Sequence, residues 1–151
     1  MGAFPAGSFR AGDQIAMLYT LGNITTDDIV VYETHELFLN ANGGNAIYSA
    51  IGALIWYQPV HILARIGQTY PRENIEKLHR AGIATFLKEV PFRDVRSWAL
   101  YEPGGIRQFV DQLSAGKIGD VSIRGEDIPD QHLGGKGYHI APMPYDAQYS
   151  L

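Results

Sequence analysis

The pattern of apolar and polar positions predicts three strands in the first half of the chain. Gln14–Gly22 is an apolar run that ends in glycine, which is typical of a strand buried on both faces. Ile29–Leu39 is rich in Val, Tyr, Thr and Phe, and its mixed polarity indicates a sheet with one exposed face. Val60–Ile66 alternates between apolar and mixed positions and ends at Gly67. We therefore expect three separate strands here.

Two helices are predicted to alternate with these strands. The segment Asn42–Asn45 breaks the chain, and small or apolar residues then recur at helical spacing: Ala46, Ser49, Ala50, Ala53, Leu54 and Tyr57. Pro71 opens a second helix that runs to about Ala81, with Gly82 as its left-handed cap. The order strand, strand, helix, strand, helix favours an α/β fold with a mainly parallel sheet.

The second half of the chain is predicted to be richer in strands and loops. Strands are expected at Thr85–Val90, Ser97–Glu102 and Ile106–Val110, with a short buried strand at Tyr138–Ala141. Pro103–Gly105 separates two of them and predicts a hairpin. Gly116–Pro129 is loop-like, and Pro144 begins a last helix.

Composition and charge narrow the classes of function. Hydrophobic residues make up 46% of the chain and charged residues 19%, which favours a compact domain over a disordered one. A net charge of −4 without a basic cluster predicts neither a nucleic-acid nor a membrane partner. The absence of cysteine excludes disulfides and thiolate chemistry. Residues 1–14 lack a signal-peptide pattern and Ala50–Tyr57 is too short to span a bilayer, so we expect a cytoplasmic protein.

Two short segments carry candidate chemistry. Asp27 follows the first predicted strand, and ligands of open α/β sheets bind at the carboxyl ends of strands. Its carboxylate can accept hydrogen bonds from two neighbouring hydroxyls, whereas alternation should turn Asp28 to the opposite side. Gly43–Gly44 precedes a helix and would let the backbone approach a ligand. Both segments can also be plain turns, which is the alternative interpretation.

The order of these features resembles the PfkB/ribokinase-like carbohydrate kinases. Gly22 to Asp27 reads G-x-x-x-x-D after a strand, and Gly43 to Ala50 reads G-G-x-x-x-x-x-A at a helix start. Gly67 then follows Ala50 by 17 residues, at the family's spacing. The similarity continues through the Trp98–Tyr101 hairpin with its Arg107 and through His139–Pro144. It covers nearly the whole chain after residue 14.

The resemblance implies the fold and the domain organisation. It implies an α/β, ribokinase-like fold with a mainly parallel sheet, helices on both faces and a small β-sheet lid. The lid would comprise residues of about 29–39 and 85–110, whose strands should pair with each other. Residues 1–151 would then be a single partial domain, the amino-terminal part of a kinase domain whose carboxyl-terminal half is missing.

The resemblance also implies a substrate site, whose predicted members are Thr25, Asp27, Gly43, Gly44, Asn45 and Tyr48. Asp27 would bind sugar hydroxyls, and the two glycines would line the sugar. The chain departs from the family at Tyr48, where a sugar-contacting Asn is usual, and at Thr25, where Asn is frequent. Thr69 likewise replaces the usual acidic residue after Gly67. Asn45 is a candidate for the lost amide's role, with an ordinary helix-start asparagine as the equal alternative.

The family's second signature, D-T-x-G-A-G-D, does not occur in the sequence. That motif supplies an anion hole and the catalytic Asp, so no catalytic residue is predicted in this chain. Gly116–Asp120 and Gly134–Gly137 only imitate phosphate-binding loops and are interpreted as plain loops. The five histidines lack paired metal-site spacing, so no metal ligand is predicted. ATP and Mg²⁺ would serve the intact family enzyme, and this chain alone is expected to bind them poorly and to be inactive.

The leading hypothesis is the acceptor-binding half of an ATP-dependent sugar or nucleoside kinase, which transfers phosphoryl to a hydroxyl. The alternative is a non-catalytic module that binds a small polyol or another protein. In either case we expect a small-molecule ligand. A homodimer through the lid or through an exposed sheet edge is a further expectation, because unpaired strand edges favour association.

Overall fold

The computed structural model of the protein describes residues 17–151. The predicted absence of a signal peptide and the first part of the strand at Gln14 fall on residues 1–16 and lie outside the described residues. The strands in chain order are β1 (Leu18–Leu21), β2 (Thr25–Val31), β3 (Glu36–Gly43), β4 (Val60–Gly67), β5 (Ile83–Val90), β6 (Arg96–Tyr101), β7 (Arg107–Asp111) and β8 (Gly137–Ile140). The α-helices are α1 (Asn45–Leu54), α2 (Arg72–Arg80) and α3 (Tyr145–Tyr149).

The strands form two separate four-stranded sheets. The main sheet has the order β5-β4-β1-β8, and all its pairings are parallel. The smaller sheet has the order β3-β2-β6-β7, with a parallel pair at its centre and antiparallel pairs on either side. The predicted α/β class, with a mainly parallel sheet and a second small sheet, is confirmed. We refer to the smaller sheet as the lid sheet.

The two longer helices pack on the same face of the main sheet. Ala46 and Ala50 of α1 and Leu78 of α2 share one apolar cluster with Ile62 and Ala64 of β4. The small side chains of α1 let this helix lie close to the strands. Arg72 is the first residue of α2 after Pro71, and Gly82 has φ of 84° after the helix end, as predicted.

The opposite face of the main sheet is covered mainly by loop residues, where helices were expected. Ile123 is fully buried there against Leu63, and Ile128 packs beside it. Asp127 fastens this loop, because its buried carboxylate accepts hydrogen bonds from Arg65 of β4 at 2.5 Å and from Lys88 of β5 at 2.6 Å. These ion pairs hold the loop against the sheet, although it contains no long helix.

Several predicted strands differ from the observed ones. The single strand expected at Ile29–Leu39 is the β2–β3 hairpin, because the polar segment Tyr32–His35 turns the chain. Residues 85–90, assigned to the lid, belong to the main sheet, where β5 pairs with β4 along its whole length. The strand expected to be buried at Tyr138–Ala141 is the edge strand β8, in which Tyr138 is 41% exposed.

One further observation concerns membranes. Within residues 17–151, the helices are too short or too polar for any of them to cross a bilayer.

Candidate functional site

A large open cleft lies between the lid sheet and the loops that follow β1 and β8. Its volume is about 1010 Å³. The main sheet contributes Asn23, just after β1, and Pro142–Pro144, just after β8. The first turn of α1 forms one wall, and β2, β6 and β7 form the other. The cleft therefore lies at the carboxyl ends of parallel strands, where ligands of open α/β sheets bind.

Asp27 lies in β2 rather than in a turn, and its side chain lines this cleft. Thr25, two residues earlier on the same strand face, donates a hydrogen bond from Oγ1 to Asp27 Oδ1 at 3.3 Å. Burial raises the pKa of Asp27, as does the neighbouring charge of Asp28, and the bond from Thr25 opposes this only in part. A hydroxyl-rich ligand that donates hydrogen bonds would stabilise its ionised form.

Positions 43 and 44 require glycine, because other atoms lie where a Cβ would project. Gly43 is paired with Thr25 across the β2–β3 ladder, and a Cβ there would overlap the carboxylate of Asp27. Gly44 has φ of 97°, and a Cβ there would collide with the backbone of Asn23 and Ile24. Gly44 lines the cleft. Gly43 does not line it, but leaves the space that the Asp27 carboxylate occupies.

Asn45 and Tyr48 occupy the exposed side of the first turn of α1 and both line the cleft. The Asn45 side chain donates from Nδ2 to the carbonyl of Pro142 at 3.2 Å, and so joins α1 to the loop after β8. Tyr48 is 59% exposed. Its pKa is raised by partial burial first and then by the negative charge of Asp27.

Asp28 points to the other face of the lid sheet. Arg96 donates to its carboxylate from Nε at 3.1 Å and from Nη2 at 2.9 and 3.0 Å, and Gln112 donates at 2.7 Å. The backbone N–H of Asn40 donates another at 2.8 Å. Burial opposes ionisation here, but these hydrogen bonds outweigh it, and the pKa of Asp28 is lowered. Adjacent aspartates thus have different surroundings: one faces the cleft and the other joins strands.

Several residues of the cleft were not predicted from the sequence. The lid contributes Ser97, Tyr101, Arg107, Phe109 and Asp111, and the loop that imitates a phosphate-binding motif contributes Gly116, Lys117 and Ile118. Alternation along the predicted β6–β7 hairpin could have found the lid residues, since odd-numbered positions share one face. Asn23 was not singled out, because an asparagine after a strand is an ordinary turn residue. In the structure it is 4% exposed, and its buried Oδ1 has no hydrogen-bond partner within residues 17–151.

Asp94 lies where the chain passes from the main sheet to the lid. Its carboxylate accepts a hydrogen bond from Thr26 at 3.1 Å, and its backbone N–H donates to Thr69 at 3.0 Å. Its carbonyl accepts from the N–H of Gly116 at 2.8 Å. Burial raises the pKa of Asp94 to about 7. One residue therefore joins β2, the loop after β4 and the loop after β7.

The described residues do not assemble a metal centre: no group of three or more His, Asp or Glu side chains could hold an ion. The cleft instead combines two carboxylates, from Asp27 and Asp111, and two cations, from Arg107 and Lys117, with amides, hydroxyls and aromatic rings. Such a set suits a hydroxyl-bearing molecule, since the carboxylates, amides and hydroxyls can all hydrogen-bond a hydroxyl.

No protein-family model matches the chain. The cytidine kinase of Thermococcus kodakarensis is 24% identical over 135 residues, which cover 89% of this chain and 46% of that protein. The chain thus spans about half the length of the curated relative it matches.

Solved structures show the same fold. Fructokinase from Xylella fastidiosa with bound ATP has a TM-score of 0.64 at 15% identity, over 83% of this chain and 38% of that one. Adenosine kinase from Schistosoma mansoni in complex with 2-fluoroadenosine has a TM-score of 0.60 at 14% identity, over 83% of this chain and 46% of that one. The resemblance to PfkB/ribokinase-type kinases is confirmed, and the chain has the ribokinase-like fold.

Proposed function

We propose that this chain is the acceptor-binding part of an ATP-dependent kinase that phosphorylates a hydroxyl of a sugar or nucleoside. The observation that carries the proposal is the position of Asp27, which faces an open cleft at the carboxyl end of the main sheet and is accommodated by Gly43. The fold and the names of the similar kinases support the same class of reaction.

The groups around the cleft suggest a division of roles. The Asp27 carboxylate would accept hydrogen bonds from one or two acceptor hydroxyls, with Thr25 orienting it. Asn45 and Tyr48 would contact the ligand from α1, on the opposite side from the lid. Gly44 would let the ligand approach the backbone closely, because no side chain projects there. These residues bind and orient the acceptor, and phosphoryl transfer depends strongly on such positioning.

ATP and Mg²⁺ are expected to serve the intact protein, in line with the ATP bound to the Xylella fructokinase. The residues described here do not fit a nucleotide site. Gly134–Gly137 leads into a strand rather than a helix, and Gly116–Asp120 leads into a turn. Neither segment places backbone N–H groups at a helix start, which is how phosphate-binding loops work. The nucleotide-binding groups and the catalytic base are therefore assigned to sequence outside this chain.

Four finer expectations belong to this proposal. Residues 1–151 alone should not transfer phosphoryl, because the D-T-x-G-A-G-D signature is absent from them. The protein should act in the cytoplasm on a small molecule and without nucleic acid or membrane. A homodimer could form through the lid sheet, whose outer strands β3 and β7 each pair on only one side. Residues of about 29–43 and 96–111 would act as the lid.

The test is a titration of purified residues 1–151 with sugars and nucleosides, measured by calorimetry, with an ATP-turnover assay on the same samples. We expect saturable binding of at least one acceptor and turnover no higher than a heat-inactivated control. Absence of binding across the panel would contradict the acceptor site. Turnover above the control would contradict the assignment of catalysis to missing sequence. Asp27→Asn should weaken acceptor binding, and Asp130→Asn, at an exposed position away from the cleft, is its matched control.

A further inference from the structure

The cleft has two chemically different zones along the β6–β7 hairpin. At one end, Ser97 and Asp111 are paired across the strands, and the Ser97 hydroxyl donates to Asp111 at 3.4 Å. Asp27 neighbours Ser97 on β2, so this end is polar. At the other end, Tyr101 is paired with Arg107, and the pair Ala99–Phe109 lies between the two ends.

The far zone is a flat, largely aromatic wall. The guanidinium carbon of Arg107 lies 5.0 Å from the centre of the Phe109 ring and 6.0 Å from that of Tyr101. These distances are typical of a cation stacked on ring faces. Tyr48 of α1 lines the same cleft. The zone therefore combines aromatic rings with one planar guanidinium.

The far end of the aromatic zone, at Tyr101 and Arg107, is farther from the polar zone than one sugar ring can reach. Ser97 and Tyr101 are four residues apart on β6, which corresponds to about 13 Å along a strand. A monosaccharide held at Asp27 would therefore leave Tyr101 and Arg107 without a contact. A molecule that joins a hydroxyl-bearing ring to a planar heterocycle would contact both zones.

On the basis of the proposed kinase function, we propose that the acceptor is a nucleoside. Its ribose hydroxyls bind the polar zone at Asp27, and its base stacks in the zone defined by Tyr48, Tyr101, Arg107 and Phe109. Stacking on aromatic rings and on a guanidinium accepts any base, because every base has a planar face. The wall therefore selects nucleosides over free sugars without by itself choosing one base.

A phosphorylated sugar is the main competitor, since Arg107 and Lys117 are both cationic and both line the cleft. The charges of the cleft favour the neutral nucleoside, because Asp27 and Asp111 line the same cleft and offset those two positive charges. The guanidinium of Arg107 also lies over the Phe109 ring, so a base would add to an existing stack.

The test measures the affinities of cytidine, adenosine, ribose, fructose and ribose 5-phosphate for residues 1–151 by calorimetry. We expect a nucleoside to bind about tenfold or more tightly than ribose, the size that stacking of one base supplies. Tyr101→Leu and Phe109→Leu should each weaken nucleoside binding about fivefold or more and leave ribose binding unchanged. Tyr32→Leu, at an exposed lid aromatic outside the cleft, is the matched control.

The outcomes separate this inference from the proposed function. Ribose or fructose binding as tightly as the nucleosides would overturn the nucleoside assignment and leave the acceptor site standing. Tightest binding by ribose 5-phosphate, retained in Arg107→Lys, would overturn it in favour of an anionic sugar, because lysine keeps the charge but not the planar surface. Failure of every compound to bind would overturn both proposals. Nucleoside binding that Tyr101→Leu and Phe109→Leu leave intact would also contradict the stacking zone.

Discussion

The main sheet and the lid sheet are both four-stranded, but they use their side chains differently. In β4 of the main sheet, Ile62, Leu63 and Ala64 are successive residues without solvent exposure, because both faces of the sheet are covered. In β3 of the lid, Leu37, Phe38 and Leu39 are 57%, 48% and 55% exposed. The main sheet therefore supplies the core, and the lid supplies a wall for the cleft. Stability and binding should depend on different sheets.

The largest expected effect sharpens this contrast. Ile62→Ala removes a fully buried side chain from the main sheet and should lower the free energy of unfolding by about 2–5 kcal/mol. Leu37→Ala removes an exposed lid side chain and should change it by no more than about 0.5 kcal/mol. Chemical denaturation of both variants measures the difference. Equal losses would show that the lid is as much part of the core as the main sheet.

Most exposed side chains of the lid sheet should contribute little to stability, and Asp28 is an exception. Asp28→Asn breaks the hydrogen-bonded pair with Arg96, whose carboxylate side is buried, and should cost about 2–3 kcal/mol. Because the Arg96 side chain is partly exposed, the loss of stability should be smaller than for a fully buried pair. Denaturation midpoints measure it, with Glu36→Gln at an exposed position of β3 as control. A loss no larger than that of the control would mean that Asp28 does not join the lid strands.

Asp94 should make stability depend on pH at the junction of the two sheets. The folded protein keeps the Asp94 proton up to about pH 7 because its pKa is raised to about 7, whereas an unfolded chain releases it near pH 4. The contribution to the free energy of unfolding is therefore complete below about pH 4 and is lost as the pH rises to 7. Between pH 5 and 7.5, the wild type should lose about 2 kcal/mol relative to Asp94→Asn.

Paired denaturation series at pH 5, 6, 7 and 7.5 test this behaviour. The quantity to compare is the difference in the free energy of unfolding between the wild type and Asp94→Asn, because the other carboxylates titrate equally in both proteins. Asp28 and Asp127, whose pKa values are lowered, contribute in the opposite sense and only in acid. A difference that stays constant from pH 5 to 7.5 would show that Asp94 is ionised throughout.

Much of the fold was predictable because local patterns and tertiary structure agree. The β4–α2 segment is an example: an apolar run, Pro71 at the helix start and Gly82 after its end all have the predicted roles. The β2–β3 hairpin was missed because its turn at Tyr32–His35 contains neither glycine nor proline, and two of its four residues, Tyr32 and Thr34, favour strands. The place of β5 was missed because a strand's propensity does not say which sheet it joins.

The candidate site was predictable only where residue type and spacing carry the signal. Asp27, Gly43 and Gly44 stand out as a carboxylate and a glycine pair at motif spacing, and the structure brings them together. Their role in binding remains a prediction. Tyr101, Arg107 and Phe109 share one face by alternation along the predicted hairpin, but their place beside Asp27 became visible only through the pairing of β6 with β2. Asp94 was missed because its contacts come from Thr26, Thr69 and Gly116, which are far apart in sequence.

The central claim is that Asp27 binds the acceptor, and one matched pair of affinities tests it most directly. Asp27→Asn removes an ionised acceptor and should weaken binding of the best ligand by about tenfold or more, as loss of one charge-assisted hydrogen bond requires. Asp130→Asn should leave that affinity unchanged, and thermal unfolding should show that both variants are folded. Calorimetric Kd values that are equal for the wild type and Asp27→Asn would contradict the account.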